Sequence, residues 1–389
     1  MVDKYDSTAD TPYLARDEAG GASEDDVQVE ETGTTVDLET SSEPNVEIIE
    51  DGSAIVGEED VPVASGFNSN LAEILDEGYL QSLSNDLIDK IDDDKASRED
   101  WEQAYTKGLD LLGFKYEERT RPFRGAASVN HPVLAQAVTQ FQAMAYVELL
   151  PSDGPVRTQV VGAVNEQLQM SAERVKEYMN YEITHVMEDY NPEMDQLLFQ
   201  LPLSGSAFKK VYFDEVLNRA TSKFVPAEDI IVPYGASDLD TCDRITQVLK
   251  MSMNDVRKKQ VSGFYRDIDL QPYDGDQTSD IQEKMDRIDG TNPTNYGMQD
   301  MTELYEVHID LDLEGFEDIN PRNGEPSGIK LPYVVTIDKT SNRVLSVYRN
   351  YGEQDPLKKK NEYFVHYKFL PGLGFYGFGL IHMIGGLTR

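Results

Sequence analysis

Apolar residues follow two different periods along this chain, and the switch between them divides it. From Phe67, the positions Leu71, Ile74, Leu75, Leu80, Leu83, Leu87 and Ile91 recur mostly at steps of three to five. Trp101, Tyr105, Leu109 and Leu112 continue the rhythm to Gly113, a C-cap candidate. This spacing predicts one long amphipathic helix or a helix pair. A basic loop, "RTRPFRGAASVNHP", interrupts it. Asn130 and Pro132 then predict a helix start, and Leu134, Val138, Phe141, Ala145 and Leu149 line one face until Pro151. A third helix is expected from about Glu166 to Tyr190, with Val175, Tyr178, Met179, Ile183 and Val186 apolar and charges opposite. Asn191-Pro192 opens a fourth, which Pro202 is expected to end.

After Pro202 the period becomes two. "SAFKKVYFD", "TSKFVPAEDIIVP" and "RITQVLKM" read as strands, followed by a short helix, "MNDVRKKQV", and a polar stretch from Gln271 to Asp300. Four more strands are expected in "ELYEVHIDLDLE", "LPYVVTIDK", "RVLSVYRNY" and "EYFVHYKF", the middle pair joined by a tight Thr340-Ser341-Asn342 turn. Helices come first and strands later, so the fold class is α+β. The regions are a tail at 1–66, a helical region at 67–203, mixed strand and helix at 204–300, antiparallel β at 301–370, and a glycine loop with the start of a helix at 371–389.

Charge changes the picture at one end. The first 100 residues carry 29 Asp and Glu against 5 Lys and Arg, while the other 289 carry 43 against 30. Residues 1–66 therefore read as a disordered acidic tail, with too little apolar surface to offset ordering entropy. A short alternating piece such as "VEII" is the most strand-like part of it. A single cysteine, Cys242, excludes a disulfide framework and a thiolate zinc cluster. The chain shows no signal peptide and no apolar run near the ~20 residues of a membrane span. It reads as a soluble protein made in the cytoplasm.

Candidate chemistry is sparse. Gly372, Gly374 and Gly377 spell G-x-G-x-x-G after a strand-like run, the spacing that seats a dinucleotide pyrophosphate. Hairpins instead of βαβ units precede it, and Phe375 and Tyr376 place rings where a phosphate would approach, so a structural loop is the expectation. None of the five histidines has a His or Cys partner at metal-ligand spacing. Asp310 and Asp312 share a strand face, where solvation explains them better than a cation. Basic residues group at Arg119, Arg121 and Arg124, at Lys209-Lys210, at Arg257-Lys258-Lys259 and at Lys358, Lys359 and Lys360. With a pI near 4.3, these groups suit bridges between subunits or weak contact with phosphate better than tight DNA binding.

The blocks "REDWEQAYTKGLDLLGFKYEERTRPFRGAASVNHPVLAQAVTQFQAMAYVELLPSDGPVRT", "PEMDQLLFQLPLSGSAFKKVYFD", "FVPAEDIIVPYGASDLDTCDRITQ" and "GFYGFGLIHMIGGLTR" occur in this order over residues 70 to 389. Together they resemble the portal proteins, the head-to-tail connectors of tailed double-stranded DNA bacteriophages, and most of all the large portals of short-tailed phages. The resemblance covers the N-terminal half or so of such proteins. The helix opening at Leu380 is similar to the stretch leading into their tunnel and crown. It implies a wing-like helical region and a homo-oligomeric, twelve-subunit ring at one capsid vertex of the virion. The ring would dock the terminase motor during packaging and capsid and tail adaptor proteins afterwards. It would meet double-stranded DNA only transiently, without sequence specificity, and contact no membrane. The resemblance also implies no catalytic residues and no cofactor, with ATP hydrolysis left to the terminase and the glycine loop structural. Two other classes stay open on the residues alone. One is an acidic capsid scaffold or internal virion protein, which sustained heptads would favour and which lacks them here. The other is a nucleotide-binding enzyme using the closing glycines.

Overall fold

The computed structural model describes residues 46–48, 54–56, 66–112, 123, 131–214, 217–271, 280–291, 300–320, 323–372 and 374–387. It divides into two units, Met1–Val61 and Pro62–Arg389. In the first, β1 (Val46–Ile48) pairs antiparallel with β2 (Ala54–Val56), Val46 opposite Val56. A featureless tail was expected here. The strand-like "VEI" instead finds a partner eight residues on, across the turn-favouring Asp51-Gly52 of the sequence. Apart from Gly66, the rest of the expected tail lies outside the described residues.

Near the start of the second unit lies Asn70, which is 5% exposed. Its Oδ1 accepts from Ala72 N and Val347 N, both at 3.0 Å, and its Nδ2 donates to Leu345 O at 3.1 Å. One side chain thus caps a 3-10 turn and ties the start of the unit to a strand almost 280 residues away. The expected helix pair follows as α1 (Glu77–Ser97), capped by Asp76, and α2 (Glu99–Leu109). Leu80, Leu83, Leu87 and Ile91 bury one face of α1 in the largest core cluster.

That cluster lies on a five-stranded antiparallel sheet of order β5–β6–β7–β8–β9: β5 (Ile230–Ile231), β6 (Arg244–Ser252), β7 (Met301–Leu311), β8 (Leu331–Asp338) and β9 (Arg343–Arg349). Asn342 takes φ 54° in the β8–β9 turn, a conformation asparagine tolerates. A three-stranded sheet holds β3 (Ser206–Asp214) between β4 (Arg219–Pro226) and β10 (Phe364–Lys368). The expected single strand "TSKFVPAEDIIVP" is therefore two. Pro226 has no N–H to continue the ladder, and a 3-10 turn at Ala227–Asp229 carries the chain from one sheet to the other.

The remaining helices are α3 (Val133–Leu149), α4 (Glu166–Tyr181), α5 (Tyr190–Ser204), α6 (Met253–Val261), α7 (Asp280–Asp289) and α8 (Leu380–Ile384). Three differ from expectation. The third helix was expected to run to about Tyr190, but α4 passes into a π-helical turn at Glu182–Val186 and the helix stops at Met187. Pro202 does not end α5, which continues to Ser204. Its last turn is wholly buried, and Gly205 at φ 89° closes it by donating to Leu201 O at 2.9 Å. Helix α7 lies in the stretch expected to be irregular. Its Ile281, Met285 and Ile288, at i, i+4 and i+7, pack into the cluster formed with α2, α3 and α8. The result is a mixed helical and antiparallel α+β fold, and residues 62–389 form one compact unit. Among the described residues, no helix is long and apolar enough to cross a membrane.

Candidate functional site

Helices α3 and α4 form an arm that leaves apolar side chains of both open to solvent, although Phe141, Ala145 and Tyr146 of α3 pack against α5. The first turns of α3 bury Leu134, Ala135 and Val138. Its last turns leave Met144 75% exposed and Val147 and Leu149 open as well. The chain then returns along α4 through 151–165. Asn180 holds this return by accepting from Val156 N at 2.8 Å and donating to Val156 O at 3.2 Å, while Thr158 Oγ1 donates to Ala172 O at 3.0 Å. Gly154 makes the close approach possible, at φ 92° and hard against the Asn180 side chain. Asn165 caps α4 by accepting from Gln167 N. No residue of α4 is buried. Val175 is 50% and Tyr178 66% exposed, with Met170, Met179 and Tyr181 also open. Helices of this length draw most of their stability from packing an apolar face. Among the described residues nothing buries the α4 face, and an apolar patch of this kind marks an interaction surface.

At the base of the arm, Arg219 pairs with Asp189 and donates to Val186 O, joining the π-helical turn Glu182–Val186 to β4. Lys209, next along β3, is 3% exposed and lies 4.0 Å over the Tyr190 ring. Burial lowers its ammonium to about 8, against the attraction of Glu193 and Asp189. Its neighbour Lys210 points the other way, to Glu306 of β7 at 2.5 Å, and His308 Nε2 shares the same carboxylate oxygen at 2.8 Å. Burial works to raise Glu306, but Lys210 and His308 overcome it and hold the carboxyl well below its usual range. This buried group fastens the two sheets together.

The sequence-derived candidates separate. Arg119, Arg121 and Arg124 lie outside the described residues. Lys358, Lys359 and Lys360 do not act as one patch. Lys358 pairs with Asp318, Lys360 Nζ donates to Leu239 O at 3.1 Å, and the exposed Lys359 reaches Glu362 at 4.0 Å. Asp310 is exposed, and no group of three or more ligating side chains among the described residues can hold a metal.

The glycine loop follows β10, an edge strand antiparallel to β3, so it is not the first turn of a βαβ unit. Three of its amides are engaged within the protein: Gly377 N with Ser206 Oγ, Phe378 N with Leu370 O, and Gly379 N with His382 Nδ1. The glycines have unequal work. Gly374 borders open space, and a Cβ on Gly372 would stand 3.1 Å from Tyr376 O. A Cβ on Gly377 would stand 2.4 Å from Gly205 O, and one on Gly379 would stand 2.2 Å from Leu203 O. Gly205 and Gly379, absent from the motif, are as tightly fitted as Gly377. The signal for Gly205 was local: a glycine straight after a buried helix end is a C-cap.

A second feature that sequence spacing did not suggest is centred on Arg98, at the α1–α2 elbow and 8% exposed. It donates to Ile230 O and Glu228 O, both at 2.6 Å, and to Tyr376 Oη of the glycine loop at 3.1 Å, and it pairs with Glu102 at 2.7 Å. Trp101 stacks on Tyr376 with ring centres 4.5 Å apart. Beneath lie two carboxyls of the 3-10 turn. Burial raises Glu228 to about 7, with Asp229 adding to it and Arg98 opposing; burial likewise raises Asp229 to about 6. Both hold their protons more firmly folded than unfolded. Their stabilising share is complete below about pH 4 and is lost as pH climbs through 6 to 7. The thermal midpoint is therefore expected to fall between pH 5 and pH 8. In Glu228→Gln, with its carboxyl replaced by a neutral amide, the fall should be smaller by about 2 kcal/mol of stability. Parallel melting curves for the two chains across this range would count against the assignment.

No protein-family model matches the chain, and no curated protein matches it. The functional reading rests on the residues and their geometry.

Proposed function

We propose that this chain is a portal subunit: a member of a ring at a phage capsid vertex through which double-stranded DNA is packaged and later ejected. The observation that carries the proposal beyond the sequence resemblance is α4, whose apolar residues are not buried by any of the described residues. In a ring, a neighbouring copy supplies their cover through a head-to-tail interface. The charge suits the same role. A channel for a polyanion must not hold it, and each lysine or arginine on phosphate adds affinity by releasing counterions. A net charge of −37 keeps such attraction weak. Terminase and the capsid and tail adaptor proteins are the partners this role requires, and the chemistry of ATP hydrolysis belongs to the motor.

Electron microscopy of the purified chain is expected to show rings with a central hole, of a mass near twelve times 43.8 kDa. Val175→Glu combined with Tyr178→Glu is expected to abolish the rings while leaving the helical signal intact, because neither side chain is buried within the unit. A wild type that stays monomeric at all concentrations, or a double variant that assembles normally, overturns the proposal.

A further inference from the structure

An acidic cleft opens where residues 239–245, the end of β7, the start of β8 and residues 360–364 meet. Asp240, Asp243, Asp310 and Glu362 line it, and Lys360 is its one lysine or arginine. The donors of Lys360 already face the carbonyls of Leu239 and Cys242. His308, also on the lining, is engaged with Glu306. Burial raises the Asp310 carboxyl; Lys360 pulls against that and Asp243 adds to it, as expected of carboxylates gathered without enough positive charge.

Asn350 is the independent observation. It lines the cleft at 3% exposure, its Nδ2 donates to Asn361 O at 3.3 Å, and its Oδ1 accepts from no donor among the described residues. A buried amide oxygen left without a donor is costly. The lining thus holds carboxylates without enough positive charge beside them and a buried amide oxygen without a donor. A cation with several N–H donors in a fixed fork, a guanidinium, suits such a lining.

Most described arginines are already committed. Arg219, Arg244, Arg257, Arg266, Arg287 and Arg343 each hold a carboxylate of this unit. The densest run of arginine in the sequence is Arg119, Arg121 and Arg124. Asp94, on the acidic stretch of α1 that offers this run its most obvious carboxylates, is taken by Arg244. An acidic cleft and a basic segment on one chain form the unlike pair that a head-to-tail interface joins. We propose that the cleft receives an arginine of the 119–124 segment from a second copy of the chain. The choice of a second copy rests on the self-assembling reading above; the guanidinium chemistry of the cleft does not.

The test uses the full chain carrying Arg119→Gln, Arg121→Gln and Arg124→Gln, so that no copy fills the cleft, and a fluorescent peptide of residues 117–127 as the probe. Anisotropy at low salt is expected to show saturable binding that Asp243→Asn with Asp310→Asn weakens about tenfold, the order expected for losing two charge-assisted pairs to one guanidinium. Asp92→Asn with Asp93→Asn, exposed acids on α1, is expected to change affinity less than about twofold, as for ordinary surface charge. No binding, or binding indifferent to the cleft substitutions, overturns the cleft assignment even if the wild type forms rings. The source is decided by mixing two full chains, one with Asp243→Arg and Asp310→Arg, the other with Arg119→Glu, Arg121→Glu and Arg124→Glu. Assembly restored only in the mixture supports a second copy. Peptide binding by a chain that never self-associates overturns the second copy and the self-assembling reading, and leaves the cleft chemistry standing.

Discussion

Gly379→Ala is expected to be among the most damaging single-methyl changes in the chain. Its new Cβ would stand 2.2 Å from Leu203 O and 2.7 Å from Gly205 N, distances that no side chain can relieve because both neighbours are backbone. The loop would have to lift off the α5–β3 corner. Gly205→Ala meets the same seam from the other side, 2.4 Å from Gly377 O, and adds the strain of a Cβ at φ 89°. Each substitution should cost about 2–4 kcal/mol, the range for overpacking a site that cannot give way. Gly374→Ala, facing open space, should stay within about 0.5 kcal/mol of wild type. Urea midpoints for the three variants measure the difference, and a common midpoint would show that the seam carries no strain.

That contrast shows how far the sequence could be read. The G-x-G-x-x-G spacing drew attention to the right loop but ranked its glycines by a phosphate-binding pattern. Gly374, at the motif's centre, has open space, whereas Gly379, outside it, meets Leu203 O. The governing contact runs between positions more than 170 residues apart, and no local pattern encodes it. Periodicity did better where one face is buried. Leu80, Leu83, Leu87 and Ile91 marked α1, and "MNDVRKKQV" coincides with α6. It missed α7, whose three apolar residues sit among charges and are helical because a cluster from α2, α3 and α8 receives them. It correctly found the apolar positions of α4, yet a helix's period does not say what covers it. No local pattern marks Arg98, since its partners at Ile230, Glu228 and Tyr376 are 130 to 278 residues distant.

Arg98→Met is expected to cost about 3–5 kcal/mol, the range for removing one member of a buried charge network. Methionine keeps the apolar volume of the stem, so the loss isolates the guanidinium. The carbonyls of Glu228 and Ile230 would lose donors at 2.6 Å, Glu102 its partner at 2.7 Å, and Tyr376 its tie to the α1–α2 elbow. Arg98→Lys should recover only a fraction, because one ammonium cannot span acceptors that the planar fork reaches together. The deficit should also grow with pH. Arg98 is one of two cations, with Lys250, that oppose the raised carboxyls of Glu228 and Asp229. Below about pH 5 those carboxyls are neutral and barely need it. Above pH 7 they ionise in the folded state with less to compensate them, so the Arg98→Met chain should fall further behind wild type at pH 8 than at pH 5. Thermal melts of wild type, Arg98→Met and Arg98→Lys at the two pH values decide it. Coincident melts at pH 8 would remove Arg98 from the list of residues that hold the elbow, the sheet crossing and the glycine loop together.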